Sequence, residues 1–310
     1  MRSGGACYAR RRNLPGASEA VPSRARRHLQ DVPIRPPGNE HVLVVLYSVV
    51  TDDGVISAAE QLVAGDADVR YLRVVPRSTA FSQALAPVPQ DPGHPRTALP
   101  TRIVTTGDDM AATLLSLSRE LKITLVALGE PPREPRKGGI IRNVLSRLLK
   151  VGSTPVLYVP PSASGPRDDL RRILLVLHAP YPAFDLLERV VPVARRSHAE
   201  VRVLTLPSAR PLVPDAAPSP IADRPSLAFS PFDAAVWLER ECEQRGCKVR
   251  PVDGDGAPAE AIVARARAFD ADLVIAGAGF AELRGGWWRR RILDLVLPRL
   301  PCPMLFARCA

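Results

Sequence analysis

Hydrophobic residues in this chain fall into short blocks of Val, Ile and Leu, separated by longer stretches with a helical period. The clearest block runs from Ile123 to Leu128 and ends at Gly129. It leads through a Pro- and Arg-rich loop to Gly138-Gly139, a helix-patterned segment over 140–151, and a closing strand over Val156–Val159. The same order recurs near the C-terminus. Leu273 to Ala276 ends at Gly277, Gly285-Gly286 opens a second helical segment, and 303–306 closes it. Gly129 and Pro155 are spaced like Gly277 and Pro303, so the chain reads as two copies of one α/β unit.

Strands are expected at 42–46, 69–75 and 102–106 in the first copy, with helices near 57–63 and over 109–121. Met110, Leu114, Leu117 and Leu121 fall on one face of the latter helix. The Pro-studded stretch 76–100 holds no long helix. The second copy repeats the order, with strands at 173–177, 201–206 and 248–252 and helices over 184–195, 232–245 and from Pro258. Gly246 is the expected C-cap of the helix over 232–245, and Pro192 is expected to kink or shorten the helix that contains it. Ile262, Ala266 and Phe269 point inward. Apolar strands without clean alternation, separated by helices, indicate parallel sheets covered on both faces. The fold class is α/β, two doubly wound parallel-sheet sandwiches in tandem, of about five strands each. The expected bounds are a tail over 1–40, domains over 41–160 and 172–310, and a linker over 161–171. Ligands of such sheets bind at the carboxyl ends of the strands, where Leu46, Gly129, Leu177 and Gly277 lead out.

Composition changes the picture little. With 46% hydrophobic and 24% charged residues the chain is that of a soluble globular protein. No apolar run is long enough to span a bilayer. The net charge of +10 invites a nucleic-acid reading, but eight arginines against three acidic residues in 1–40 account for half of it. That tail reads as disordered, with a composition somewhat like a transit peptide; an upstream misplaced translation start explains it equally well. Five cysteines (Cys7, Cys242, Cys247, Cys302, Cys309) show no CxxC or zinc spacing, which places the chain in a reduced cytoplasmic compartment. Burial is the default for Cys242 and Cys247, and a redox role for Cys302 or Cys309 is a weak alternative.

These residues resemble the universal stress protein family and its tandem two-domain members. The resemblance covers roughly 41–160 and 172–308. It rests on the first strand, on Gly256-Ala257-Pro258-Ala259-Glu260-Ala261-Ile262 and on Asp270 to Gly277. The ending Pro301-Cys302-Pro303-Met304-Leu305 and its counterpart Ser153-Thr154-Pro155-Val156-Leu157 complete it. It implies the adenine nucleotide alpha hydrolase-like fold, pairing of the two domains through their last strands, and ATP or another adenine nucleotide as ligand. The family's nucleotide motif after strand four is glycine, two residues, glycine, nine residues, glycine, then Ser or Thr. Such glycines let the backbone approach phosphates whose charge faces a helix N-terminus. Here Gly129 keeps the first position, but Pro132, Arg142 and Asn143 occupy the others. In the second copy Gly277 is kept, while Phe280, Arg290 and Arg291 replace the rest. The acidic residue expected at the end of strand one is Tyr47 in one copy and His178 in the other. The pattern is eroded in both halves, although arginine forks bind phosphate well. The candidate ligand-binding set is therefore Gly129, Gly138, Gly139, Arg142, Asn143 and His178, with Gly277, Gly279, Gly285, Gly286, Arg290 and Arg291 in the second copy. An adenine nucleotide and no cofactor at all are equally compatible with it.

Other motifs carry less. Gly277-Ala278-Gly279 lacks the third glycine of a dinucleotide fingerprint, since Glu282 stands there. There is no GxxxxGK[ST], HExxH or nucleophile elbow, and five scattered histidines make no triad. The expectation is accordingly a non-catalytic regulatory or ligand-sensing module with a small anionic ligand or a protein partner, and with homodimerisation open. An ATP-binding protein with slow ATPase activity is the first alternative. The second is a polyanion or anionic-membrane binder through Arg133, Arg136, Lys137 and the run Trp287-Trp288-Arg289-Arg290-Arg291. Solvated loops explain those basic runs more simply, with Trp288, Ile292 and Leu295 or Val296 as an apolar stripe. That weighs against nucleic acid or membrane as partner.

Overall fold

Ten strands form one sheet in the order β3-β2-β1-β4-β5-β10-β9-β6-β7-β8. The computed structural model describes residues 40–47, 53–63, 67–75, 102–105, 109–130, 138–161, 163, 170–178, 184–206, 248–253, 257–277 and 293–307. The strands are β1 His41–Leu46, β2 Asp68–Val75, β3 Arg102–Thr105, β4 Leu125–Gly129, β5 Val156–Val159, β6 Arg172–His178, β7 Glu200–Leu206, β8 Lys248–Asp253, β9 Leu273–Gly277 and β10 Met304–Ala307. The described helices are α1 Asp53–Leu62, α2 Met110–Glu120, α3 Gly138–Val151, α4 Phe184–Arg196 and α5 Pro258–Ala268, and a 3-10 turn covers Leu297–Arg299.

Among the described residues every strand pairing is parallel except one. β5 and β10 run antiparallel, with Leu157 opposite Leu305, Tyr158 opposite Met304 and Val156 opposite Phe306. The first half has strand order 3-2-1-4-5, and 8-7-6-9-10 is the same order in the second. Local hydrogen bonds repeat with an offset of 148 residues. The amide of Ile123 donates to Ser118 and that of Ala271 to Ala266; Val126 donates to Pro155 and Val274 to Pro303. Lys122 and Asp270 both adopt left-handed φ, 52° and 49°, at the turn from helix to strand, where a helix end commonly places such a residue. On that offset Leu157 and Leu305 are equivalent positions, so a local twofold axis passes between them.

Side chains alternate across each strand, and two cores result. On one face α2, α3 and α5 bring Leu114, Leu145 and Ile262 against Val45, Leu128, Val274 and Phe306. On the other, α1 and α4 bring Ala59 and Val190 against Val44, Ala127, Leu175 and Ile275. Each core draws on both halves. A polar contact also crosses between them: Arg196, at the end of α4, donates to the carbonyl of Leu62 at the end of α1 at 2.7 Å. A cation there satisfies a terminal carbonyl and complements the helix dipole.

Several expectations shift. α1 begins at Asp53, earlier than the apolar pattern indicated, and α4 runs from Phe184 to Arg196, one residue beyond the expected 184–195, so Pro192 does not shorten it. Pro192 is exposed and Val190, Val191, Val193 and Ala194 are buried, so apolar burial on either side sustains the helix through the break. Gly138-Gly139 are the first turn of α3 and do not precede it. Leu121 is only partly buried. Val296, not Leu295, turns inward, and Leu295 is 46% exposed. The stretches 76–100 and 207–247, with the helix expected over 232–245 and its Gly246, lie outside the described residues, as do residues 1–39, Cys7, Cys242, Cys247 and Cys309. Cys302 is buried at 3% exposure, which removes the access a redox sensor requires.

α2 is anchored at its N-terminus by Asp109, whose carboxylate accepts the Ala112 amide at 3.1 Å and two contacts from the Arg147 guanidinium at 2.6 and 2.7 Å. The hydrogen bond from Arg147, then that from Ala112, holds the Asp109 carboxyl below the usual carboxylate range. A depressed folded pKa contributes stability above the unfolded value, about 3.9, and that contribution disappears as pH falls through the folded value. Thermal denaturation of Asp109→Asn should therefore lose less stability than the wild type as pH falls below about 4. Equal acid sensitivity of the two proteins would show that Asp109 carries none of the loss. Asp68 titrates in the same window. Its burial pushes the pKa up, but hydrogen bonds from Arg70 and His41 outweigh this and lower it, so the comparison isolates Asp109.

Candidate ligand site at the carboxyl ends of the strands

The parallel sheet places the exits of β1 and β4 side by side in the first half, and those of β6 and β9 in the second. Tyr47 follows β1. Its hydroxyl donates to the Met110 sulfur at 2.9 Å, tying the strand exit to the first residue of α2. Gly129 is the buried last residue of β4. A Cβ at this position would lie 2.5 Å from Cγ2 of Val55. The close approach of α1 thus accounts for this glycine, without any ligand.

Glu130 comes next and accepts a hydrogen bond from the Tyr158 hydroxyl at 2.9 Å. Burial raises the Tyr158 phenol far above its ordinary pKa, and the Glu130 charge and hydrogen bond add to this, while Arg142 opposes it. Tyr158 is therefore a neutral donor. Gly138 and Gly139 open α3, whose N-terminus faces the same end of the sheet. One turn on, Arg142 donates from Nη1 to Oδ1 of Asp294 at 3.1 Å. Asn143, beside it, is exposed. The first-half candidates Gly129, Gly138, Gly139 and Arg142 therefore gather around the β4 exit, where Arg142 meets a carboxylate from the other half.

In the second half Gly277 ends β9 opposite Ala307. His178 ends β6 opposite Leu206, and its side chain lies outside the described residues. Gly279, Gly285, Gly286, Arg290 and Arg291 lie outside them as well, as do the loop with Pro132, Arg133, Arg136 and Lys137 and the run 287–291.

Sequence reasoning missed Glu130, Tyr158 and Asp294. Tyr158 sits in an apolar strand and reads as core, and 152 residues separate Arg142 from Asp294. The repeat offset did hold a signal. It maps Tyr158 onto Phe306, Glu130 onto Ala278 and Asp294 onto Ser146. Glu130 and the Tyr158 hydroxyl thus belong to the first copy alone, and the Asp294 carboxylate to the second alone. Among the described residues no cluster of three or more His, Cys, Asp or Glu side chains could hold a metal, and no helix is long and apolar enough to cross a membrane.

Residues 170–308 match the model of the universal stress protein family. No curated protein sequence matches the chain. Among solved structures, a universal stress protein from Archaeoglobus fulgidus DSM 4304 superposes with a TM-score of 0.53 at 12% identity, covering 86% of this chain and 96% of its own. A candidate universal stress protein from Pseudomonas aeruginosa UCBPP-PA14 gives a TM-score of 0.55 at 18% identity, covering 87% and 93%. At these identities the likeness is one of fold. Residues 170–308 thus match the universal stress protein family, and the sheet that holds them has the fold of universal stress proteins.

Proposed function

We propose that the chain is a tandem pair of universal stress protein-like units acting as a non-catalytic regulatory or ligand-sensing module, with nucleotide binding weak or lost. The observation that carries this reading is the contact of Arg142 with Asp294. The arginine at the eroded motif position of the first half already holds a carboxylate of the second. Gly129 points the same way, because the packing of Val55 explains it.

The adenine-nucleotide reading keeps one specific support. α3 opens with two glycines at the carboxyl end of the sheet, and amides at a helix N-terminus favour anions. The experiment that separates the two readings is mass spectrometry of small molecules released from the purified protein, followed by calorimetric titration with ATP and magnesium. The expected result is no co-purified nucleotide and a Kd weaker than about 1 mM, which is roughly 4 kcal/mol of binding. A co-purified adenine nucleotide or a micromolar Kd would overturn the proposal in favour of an ATP-binding protein.

A further inference from the structure

We propose that Asp294 is an intramolecular latch on Arg142: the second half supplies the carboxylate that occupies the guanidinium at the ligand end of the first, and a phosphate-class anion competes for it and releases Asp294. This deepens the reading above, from which it takes only that Arg142 faces the ligand end.

Three observations converge. The first is chemical: a guanidinium binds carboxylate and phosphate through the same donors, so one can replace the other. The second is exposure. The Arg142 and Asp294 side chains are 34% and 43% accessible, and Nη1 of Arg142 donates to Oδ1 of Asp294 at 3.1 Å. Such pairs are weak enough to exchange with a solution anion. The third is position. Arg142 lies near the start of α3, directly downstream of the β4 exit, and its field acts on Tyr158, which donates to Glu130 at that exit. Asp294 lies in the short helical stretch 293–296 that leads to β10. The contact therefore joins the ligand end of the first half to the element before the β5–β10 pairing. It breaks the internal twofold, since Ser146 stands at the position equivalent to Asp294. Anion capture would act on the second half in a way the repeat itself does not provide.

The test uses the full chain as wild type, Asp294→Asn and Arg142→Gln, titrated with inorganic phosphate at constant ionic strength. Binding is read by calorimetry and amide hydrogen exchange over 293–300. Asp294→Asn is expected to bind phosphate up to about fivefold more tightly, the worth of an exposed ion pair. Phosphate should speed exchange over 293–300 in the wild type and leave Asp294→Asn unchanged, because its latch is already open. Arg142→Gln should lose the binding. Equal phosphate affinity in wild type and Asp294→Asn would overturn the latch, and so would absence of binding to Asp294→Asn. The outcome is independent of ATP: a protein blind to nucleotide can still show the phosphate competition.

Discussion

Phe306→Ala is expected to destabilise the whole ten-stranded unit by about 3–5 kcal/mol, the usual cost of emptying a buried phenylalanine site. Phe306 is 1% exposed. It pairs with Val156 across the antiparallel junction and with Ala276 on its other side. It also belongs to a core shared by α2, α3 and α5. A cavity here removes packing from both halves together. Chemical denaturation followed by tyrosine and tryptophan fluorescence should show one transition moved to lower denaturant. A first-half signal that stays at the wild-type midpoint would refute the shared core, because independent domains would confine the loss to the second half.

Gly129→Ala is expected to cost about 1–3 kcal/mol, the range for overpacking a filled core. The added methyl would sit 2.5 Å from Cγ2 of a buried, β-branched Val55, whose rotamers are few. The informative comparison is a double-mutant cycle with Val55→Ala. If α1 packing is why glycine stands here, Gly129→Ala will cost much less in the Val55→Ala background. Additive losses would show that something other than Val55 demands the glycine, with close approach of a ligand to the β4 exit then the leading explanation.

Much of the fold was legible because strand and helix patterns in this chain arise from burial. The runs at 42–46 and 156–159 are flanked by parallel neighbours on both sides or by the junction, and both faces are covered, so almost every position had to be apolar. Pro258 marked the start of α5 for a local reason, since its missing amide costs nothing in a first turn. Boundaries that depend on tertiary packing were less legible. α1 begins at Asp53, ahead of the segment 57–63 that the apolar pattern marked, whereas α4 was marked over 184–195, through Pro192, with only its last residue missed. The candidate site shows the same division. Gly129 and the two glycines of α3 could be placed from spacing, but the reason for Gly129 is a valine 74 positions earlier on another element. Arg142 could be nominated as a phosphate ligand, whereas the carboxylate that engages it comes from the other half of the chain. Pairing of charges across such a separation leaves no periodicity to read.

The twofold between Leu157 and Leu305 has a further consequence. A junction whose two sides are equivalent positions could equally be formed by two separate molecules, and it would then come apart on dilution. Here the dozen residues 160–171 link the half that ends in β5 to the half that ends in β10, and a short tether holds its ends at an effective concentration in the millimolar range. The junction therefore stays closed however few molecules are present. Abundance, which could govern a pair of separate subunits, has no purchase on this contact, and only a change within the chain can open it.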